Sequence, residues 1–178
     1  MFPILETERL VLREINKEDA ESIFSSFSNE KVIRYYGQSR FTKIVEAYDI
    51  IDLFANNYKA DRSIRWGIQL KDQPGLIGTI GLNNLLFKSK RGEIGYEIQP
   101  FYWRNGYTSE AVKSVLTYAF DVLDLHRIGA VVFLENDASN NLLKKLGFQH
   151  EGILRGYILQ DGIHYDTNIY SKLKAEHK

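Results

Sequence analysis

The sequence contains no cysteine, and this absence excludes several kinds of site. Disulfide frameworks, cysteine-ligated zinc sites and thiol nucleophiles all require that residue. The N-terminus also lacks the basic segment and apolar stretch of a signal peptide. The longest apolar run, 128–134, is far shorter than the ~20 residues of a membrane-spanning helix. We therefore expect a cytoplasmic protein with no membrane partner.

An excess of charge of either sign is also absent, because lysine plus arginine and aspartate plus glutamate both number 23. Nucleic-acid-binding proteins usually carry a basic excess, so we expect no nucleic-acid partner. The four histidines lack the H-x-x-x-H spacing of a metal-binding pair, and we expect no metal site. The sequence has no Gly-Lys-Ser/Thr, Gly-x-Ser-x-Gly or G-x-G-x-x-G motif, so hydrolase, nucleotidase and dinucleotide-binding functions lack support.

Proline is scarce, and no linker or internal repeat divides the chain, so we predict a single domain over residues 1–178. The predicted elements alternate in type, which indicates an α/β (α+β) layered fold. Alternating or continuous apolar runs predict strands at 5–15, 63–70, 76–86, 91–98, 127–134, 148–159 and 164–173. Helical spacing predicts helices at 16–27, 42–57, 106–123 and 138–146, the first capped by Asn16.

Two polar segments each follow a predicted strand and precede a predicted helix. The first, 100–110, contains Gly106, which would let the backbone approach an anion at the positive end of a helix. The second, 135–141, follows the apolar strand 127–134, at the strand end where α/β sheets hold ligands. Helix capping is the alternative for both, by Thr108 or Ser109 in the first and by asparagine or serine in the second.

Taken together, the two segments resemble the GCN5-related N-acetyltransferase (GNAT) family, and within it the branch of ribosomal-protein N-terminal acetyltransferases (RimJ/RimL-like). The similarity lies in five motifs that follow one another in the family's order over nearly the whole chain. These motifs are LVLR at 10–13, IGYEIQP with YWRNGYTSEA at 94–111, Asn136-x-x-Ser139, LxxLGF with EG at 143–152, and Gly162-x-x-x-Asp166-x-x-x-Tyr170.

The resemblance implies the GNAT fold and acetyl-CoA as co-substrate. That fold would be a mixed, twisted sheet of six to seven strands with about four flanking helices. A V-shaped splay would separate the fourth and fifth strands and hold the coenzyme. The coenzyme-binding positions it implies are Ile98, Arg104, Asn105, Gly106, Tyr107, Thr108, Ser109 and Asn136. The chain departs from the family pattern at Trp103, at Arg104, where glycine is common, and at Thr108.

The implied reaction is direct attack of a neutral amine on the acetyl thioester in a ternary complex. The missing cysteine excludes an acetyl-cysteine intermediate. Ser139 corresponds to the position where this branch places a donor to the coenzyme sulfur, and helix capping is its alternative. The candidate bases are Glu135 and Glu97, with Glu93 on the same strand face as Glu97. Each carboxylate has an alternative as an ordinary surface residue.

The acceptor would be a primary amine, and a protein N-terminal α-amine is the first candidate. A polyamine or another small amine is the alternative within the same class. A non-catalytic acyl-CoA-binding sensor is the alternative from a different class. The resemblance places the Tyr35-Tyr36-Gly37 segment near the acceptor cleft, and we expect a monomer or a homodimer.

Overall fold

The computed structural model describes all 178 residues and contains one eight-stranded sheet and five α-helices. The strands are β1 (Leu5–Glu6), β2 (Leu10–Glu14), β3 (Ile64–Leu70), β4 (Gly78–Leu86), β5 (Arg91–Ile98), β6 (Arg127–Phe133), β7 (Gln149–Gln160) and β8 (Ile163–Leu173). The helices are α1 (Ala20–Phe27), α2 (Glu30–Ile33), α3 (Ile44–Lys59), α4 (Tyr107–Thr117) and α5 (Asp137–Lys145). The strands lie in the order β1-β2-β3-β4-β5-β6-β8-β7.

The junction between β5 and β6 is the one parallel pairing in the sheet. It is short: Arg91 pairs with Arg127, and the last pair joins Glu93 to Gly129. Beyond that pair the two strands continue without hydrogen-bonded partners in each other. The predicted splay between these strands is therefore present, and its vertex lies at Glu93 and Gly129.

The predicted count of six to seven strands and about four helices is too low. The predicted strand 5–15 is divided by a tight turn, in which the Leu10 amide donates to the Thr7 hydroxyl (3.0 Å) and β1 folds back on β2. The additional helix is α2, capped by Asn29, whose side chain accepts the Lys31 amide (2.9 Å). One helical turn has too few residues to produce an apolar period.

The sheet has a hydrophobic core on each face. The larger core lies under α4 and α5 and surrounds Trp66 and Phe120. The smaller core lies under α1 and α3 and includes Phe27 and Ile51. Successive residues of a strand point to opposite faces. On β5, Ile94, Tyr96 and Ile98 therefore face the larger core, and Glu93 and Glu97 face the other side.

Several local predictions are confirmed. Asn16 and Asp19 form a reciprocal capping box at the start of the first helical segment. The turn between β7 and β8 contains Asp161 and Gly162, both with positive φ, as a type I′ hairpin requires. The predicted helix 106–123 ends its regular part at Thr117 and continues as one π-helical turn. None of the helices combines the length and the apolar composition needed to cross a bilayer.

Candidate active site

The loop between β5 and α4 presents free backbone N–H groups at the start of a helix. Gly106 is the N-cap residue with a φ of +79°, and no side chain caps the helix, so capping by Thr108 or Ser109 is wrong. The first amides of α4, from Tyr107 onward, thus have no intrahelical acceptor and are available to an anion. Arg104 has a φ of +62°, a left-handed conformation that glycine adopts more easily. This conformation explains the glycine that is common at this position in the family.

Arg9, which sequence reasoning missed, fixes this loop from the β1–β2 turn. Its guanidinium donates to the Asn105 carbonyl (2.9 Å) and to the Glu110 carboxylate (2.7 Å), and it lies 4.5 Å from the centre of the Tyr107 ring. Burial alone would raise the pKa of Glu110, but hydrogen bonds from Thr7 and Arg9 lower it overall. The partners are about a hundred positions apart in sequence, so no local motif marks them.

The backbone of β5 directs unpaired groups into the splay. The Gln99 amide donates to the Ile77 carbonyl, immediately before β4 (2.8 Å). Alternation along an antiparallel pair then turns the N–H and C=O groups of Tyr96 and Ile98 away from β4 and toward β6. The Trp103 indole donates to the Ile98 carbonyl (2.7 Å), which leaves the Ile98 N–H for a ligand. This arrangement is compatible with the predicted backbone contact at Ile98.

Ser139 does not cap α5. The cap is Asn136, whose side-chain oxygen accepts the Ser139 amide (3.3 Å). The capping alternative is therefore wrong for Ser139 and correct for Asn136. The Ser139 hydroxyl instead lies 2.7 Å from the phenol oxygen of Tyr96, across the splay.

Tyr96 is a second residue that sequence reasoning missed. It occupies the same strand face as Ile94 and Ile98, so its position indicates a core residue. Burial raises the pKa of Tyr96 to about 12, although the hydrogen bond to Ser139 lowers it. The phenol therefore keeps its proton at neutral pH. Its one hydrogen-bond partner is Ser139, 43 positions away in sequence.

Glu97 is the buried carboxylate among the three candidates. It is 6% exposed, and neither of its carboxylate oxygens has a hydrogen-bond partner. Burial raises the pKa of Glu97 to about 7, against the opposing effects of the Thr79 hydroxyl, the Arg65 guanidinium and the Ser26 hydroxyl. The surface-residue alternative is therefore wrong for Glu97.

The other two carboxylates are in more open positions. Glu135 is exposed at the end of β6, and its side chain makes no hydrogen bond or ion pair. Glu93 is half-buried near the vertex of the splay and accepts a hydrogen bond from Asn84 (3.1 Å). The sequence places Glu93 and Glu97 on one face of β5. It does not show that only Glu97 is buried, because that depends on how the helices pack on the sheet.

Arg65 lies across the sheet beside Glu97. It is 7% exposed and donates to the Gly95 carbonyl (3.1 Å) and the Asn83 side chain (3.0 Å), while its Nε has no partner. Glycine at 81 makes room for it, because a Cβ there would lie 2.7 Å from the Arg65 Nε. A buried guanidinium is thus held within electrostatic range of the Glu97 carboxylate.

The Tyr35-Tyr36-Gly37 segment covers this region. Burial raises the pKa of Tyr36, and the charges of Arg65 and Glu97 both act on it. The Gly37 amide donates to the Gln160 side chain at the end of β7 (2.8 Å). Tyr35 packs against Phe133 at the end of β6, with ring centres 5.9 Å apart. The segment therefore joins the surroundings of Glu97 to the ends of β6 and β7.

Asn140 ties the end of β6 to α5 and β8. Its amide nitrogen donates to the carbonyls of Phe133 (3.1 Å), Leu134 (3.3 Å) and Asn136 (2.9 Å). Its side-chain oxygen accepts from the Asn168 amide and the Tyr170 hydroxyl. This buried side chain fixes the segment that carries Asn136 and Ser139.

The site therefore has the hydrogen-bonded Tyr96 and Ser139 side chains spanning the splay on one face of the sheet and a buried carboxylate on the other face. Tyr96 and Glu97 are consecutive residues of β5, so they point to opposite faces of the sheet. No group of three or more histidine, aspartate or glutamate side chains is placed to hold a metal ion.

Comparison with known proteins identifies the family of the chain. A family model described as an acetyltransferase (GNAT) domain matches residues 9–149. An uncharacterized N-acetyltransferase, YoaA, from Bacillus subtilis strain 168 is 55% identical, with 98% of each chain covered. The spermidine N(1)-acetyltransferase of Escherichia coli strain K12 is 27% identical over 80% of this chain and 74% of the relative.

Solved structures give the same fold. A GNAT-family acetyltransferase from Bacillus anthracis superposes with a TM-score of 0.85 at 26% identity, covering 98% of this chain and 100% of that one. RimL, a ribosomal L7/L12 α-N-protein acetyltransferase solved with coenzyme A, has a TM-score of 0.85 at 17% identity, covering 96% and 98%. The resemblance to the GNAT family inferred from the sequence is confirmed. The chain therefore belongs to the GNAT acetyltransferase family and is an N-acetyltransferase.

Proposed function

We propose that the protein transfers an acetyl group from acetyl-CoA to a primary amine, with a protein N-terminal α-amine as the acceptor. The transfer is direct, within a ternary complex. The observation that carries the proposal is the pairing of Ser139 with Tyr96 across the splay on one face of the sheet and the buried, unpartnered Glu97 on the other face.

The coenzyme would be held along β5 and at the start of α4. The Ile98 N–H is free to bond the pantetheine arm, and the amides of 107–109 face the position of a diphosphate. Arg104 has no side-chain partner and adds a positive charge to this loop. Acetyl-CoA supplies the activated acetyl thioester, and the protein supplies orientation and proton transfer.

The pair formed by Tyr96 and Ser139 is arranged to donate a proton. The Tyr96 hydroxyl has no acceptor other than the Ser139 oxygen. When Tyr96 donates to that oxygen, the Ser139 proton is free to point into the splay. A donor there stabilises the thiolate that leaves when the amine attacks.

Glu97 would act on the acceptor. An amine must be neutral to attack, and an α-amino group has a pKa of about 7.7–8.0, so it loses a proton before or during the reaction. A base is most effective when its pKa is close to the working pH. Burial gives Glu97 a pKa of about 7, which suits this task.

Acetyl-CoA binding and acceptor use can be tested together. We expect acetyl-CoA to raise the melting temperature of the protein, because a ligand that binds only the folded state stabilises it. Release of free thiol should then appear with N-terminal peptides and remain lower with spermidine and aminoglycosides. Absence of any stabilisation at millimolar acetyl-CoA would contradict the proposal. Stabilisation without turnover on any amine would favour the sensor alternative.

Replacement of Ser139 with alanine should lower kcat about 100-fold, the low end for loss of a proton donor, because a thiolate is a good leaving group. Tyr96→Phe should lower kcat about fivefold, the effect of one hydrogen bond of ~1 kcal/mol. The Kd for acetyl-CoA should change less than twofold in both. Steady-state kinetics and calorimetry measure these effects, with the exposed Tyr157→Phe as the control. Wild-type activity in Ser139→Ala would remove this residue from the mechanism.

A further inference from the structure

A groove of about 540 Å³ begins at the vertex of the splay. Its floor includes the buried Gly129, which has no side chain to fill the space beside Glu93. Three arginines, Arg62, Arg91 and Arg127, line it. The groove extends past the last β5–β6 pair to Ala130 and Val131, so it is continuous with the opening between the two strands.

The charges in this groove do not balance. Glu93 is its one acidic residue, and its carboxylate is engaged by Asn84. Arg127 is neutralised from outside the groove by two hydrogen bonds to Glu151 (2.7 and 2.6 Å). Arg62 and Arg91 make no ion pair and no side-chain hydrogen bond. Three arginines against Glu93 and Glu151 leave a net charge of +1, and the Arg62 and Arg91 guanidiniums are the two groups without a partner.

The lack of a partner distinguishes these two arginines from most others in the chain. Six of the ten arginine side chains contact a carboxylate, an amide or an aromatic ring. The remaining four are Arg62, Arg91, Arg104 and Arg155. Arg91 also lies directly opposite Arg127 in the β5–β6 pairing, and Glu151 pairs with Arg127 but not with Arg91.

The groove lies on the same face of the sheet as Glu97. Glu93 lines the groove, and Glu97 is four residues further along β5. With a rise of about 3.3 Å per residue, the two positions are ~13 Å apart. An amine placed at Glu97 would therefore have the groove within reach of a chain of ~13 Å.

We propose that Arg62 and Arg91 recognise acidic side chains in the acceptor, which would be an extended peptide with aspartate or glutamate at about its fourth or fifth residue. The inference rests on the proposed function, because it takes the N-terminal amine to lie at Glu97. An extended chain covers about 3.3–3.6 Å per residue, so ~13 Å corresponds to three or four residues beyond the first. Guanidinium groups bind carboxylates through two parallel hydrogen bonds. The same charges repel a polyamine.

The test compares three peptides that differ only at positions four and five, with aspartate, serine or lysine there. The wild-type protein should show a kcat/KM for the aspartate peptide at least ten times that for the lysine peptide, with the serine peptide between them. The preference should shrink as salt is raised, because exposed charges are screened. Equal rates with all three peptides would overturn the inference and leave the proposed function intact.

The double variant Arg62→Gln/Arg91→Gln should lose most of this preference and keep its rate on the serine peptide. Its Kd for acetyl-CoA should remain that of the wild-type protein, which also verifies folding. Arg155→Gln is the matched control, because Arg155 is exposed and unpartnered but does not line the groove. A double variant that retains the preference overturns the assignment to these arginines. Acetylation of spermidine with no reaction on any peptide overturns both this inference and the N-terminal acceptor.

Discussion

Replacement of Glu97 with glutamine should lower kcat/KM at pH 7 by about 10²-fold, the lower range of general-base catalysis. The pH profile of the wild-type enzyme should show two ionisations, one at the Glu97 pKa of about 7 and one at the acceptor amine. The profile of the Glu97→Gln variant should show only the ionisation of the acceptor amine. Glu135→Gln is the matched control, since this exposed carboxylate has no partner and should leave the profile unchanged. An unchanged profile in Glu97→Gln would exclude this residue as the base.

The same substitution should change how stability depends on pH. The pKa of Glu97 is raised from 4.5 to about 7 in the folded protein, so the folded state binds this proton more tightly than the unfolded state. Its stabilising contribution is complete below the unfolded pKa and is lost as pH rises through about 7. The loss amounts to about 3 kcal/mol. Urea unfolding between pH 4 and 8 should therefore show a smaller decline in the glutamine variant than in the wild-type protein.

Asn140→Ala should lower the free energy of unfolding by about 3 kcal/mol or more. The substitution removes the acceptor of the buried Tyr170 hydroxyl and of the Asn168 amide and the side-chain donor to the Leu134 carbonyl, whereas the Phe133 and Asn136 carbonyls keep backbone donors. Each unpaired buried group costs ~1–3 kcal/mol unless water reaches it. Asn140→Asp should also destabilise, because a carboxylate oxygen would then face those carbonyls. Both effects are measured by denaturant unfolding.

The neighbouring Asn141 supplies the control for this prediction. Asn141 is exposed on the same helix and makes no side-chain hydrogen bond, so Asn141→Ala should change stability by less than ~0.5 kcal/mol. Equal stability of Asn140→Ala and Asn141→Ala would contradict the role assigned to Asn140. Because Asn140 fixes the start of α5, its variants should also reduce kcat through misplacement of Ser139.

Elements with strong local signals were predictable from the sequence. The range of β5 was correct because its residues alternate and Pro100 ends the strand. The β7–β8 hairpin was predicted by its Asp-Gly turn, and the capping box by the spacing of Asn16 and Asp19. The break between β1 and β2 was missed, because the hydroxyl of a single threonine closes that turn.

The site was predictable only in part, because its important contacts join distant segments. Alternation along β5 predicts which face of the sheet Glu97 occupies. It does not predict how deeply Glu97 is buried under α1, and that burial raises its pKa. The hydrogen bond between Tyr96 and Ser139 and the contact between Arg9 and the loop from β5 to α4 both depend on how strands and helices pack. A sequence pattern describes one element at a time, so it could suggest Ser139 but not its partner.

The position of Arg65 over Gly81 and Gly95 has a consequence for how this sequence can diverge. The guanidinium lowers the pKa of Glu97, and it can stay in place only while position 81 lacks a Cβ. An alanine at 81 would place its Cβ 2.7 Å from both the Arg65 Nε and the Ile64 carbonyl oxygen, so it would displace the guanidinium and strain the backbone of β3. Displacement of that cation would make the Glu97 carboxyl harder to deprotonate. The pKa of Glu97 therefore depends in part on Gly81, because the absence of a side chain there leaves room for the Arg65 guanidinium.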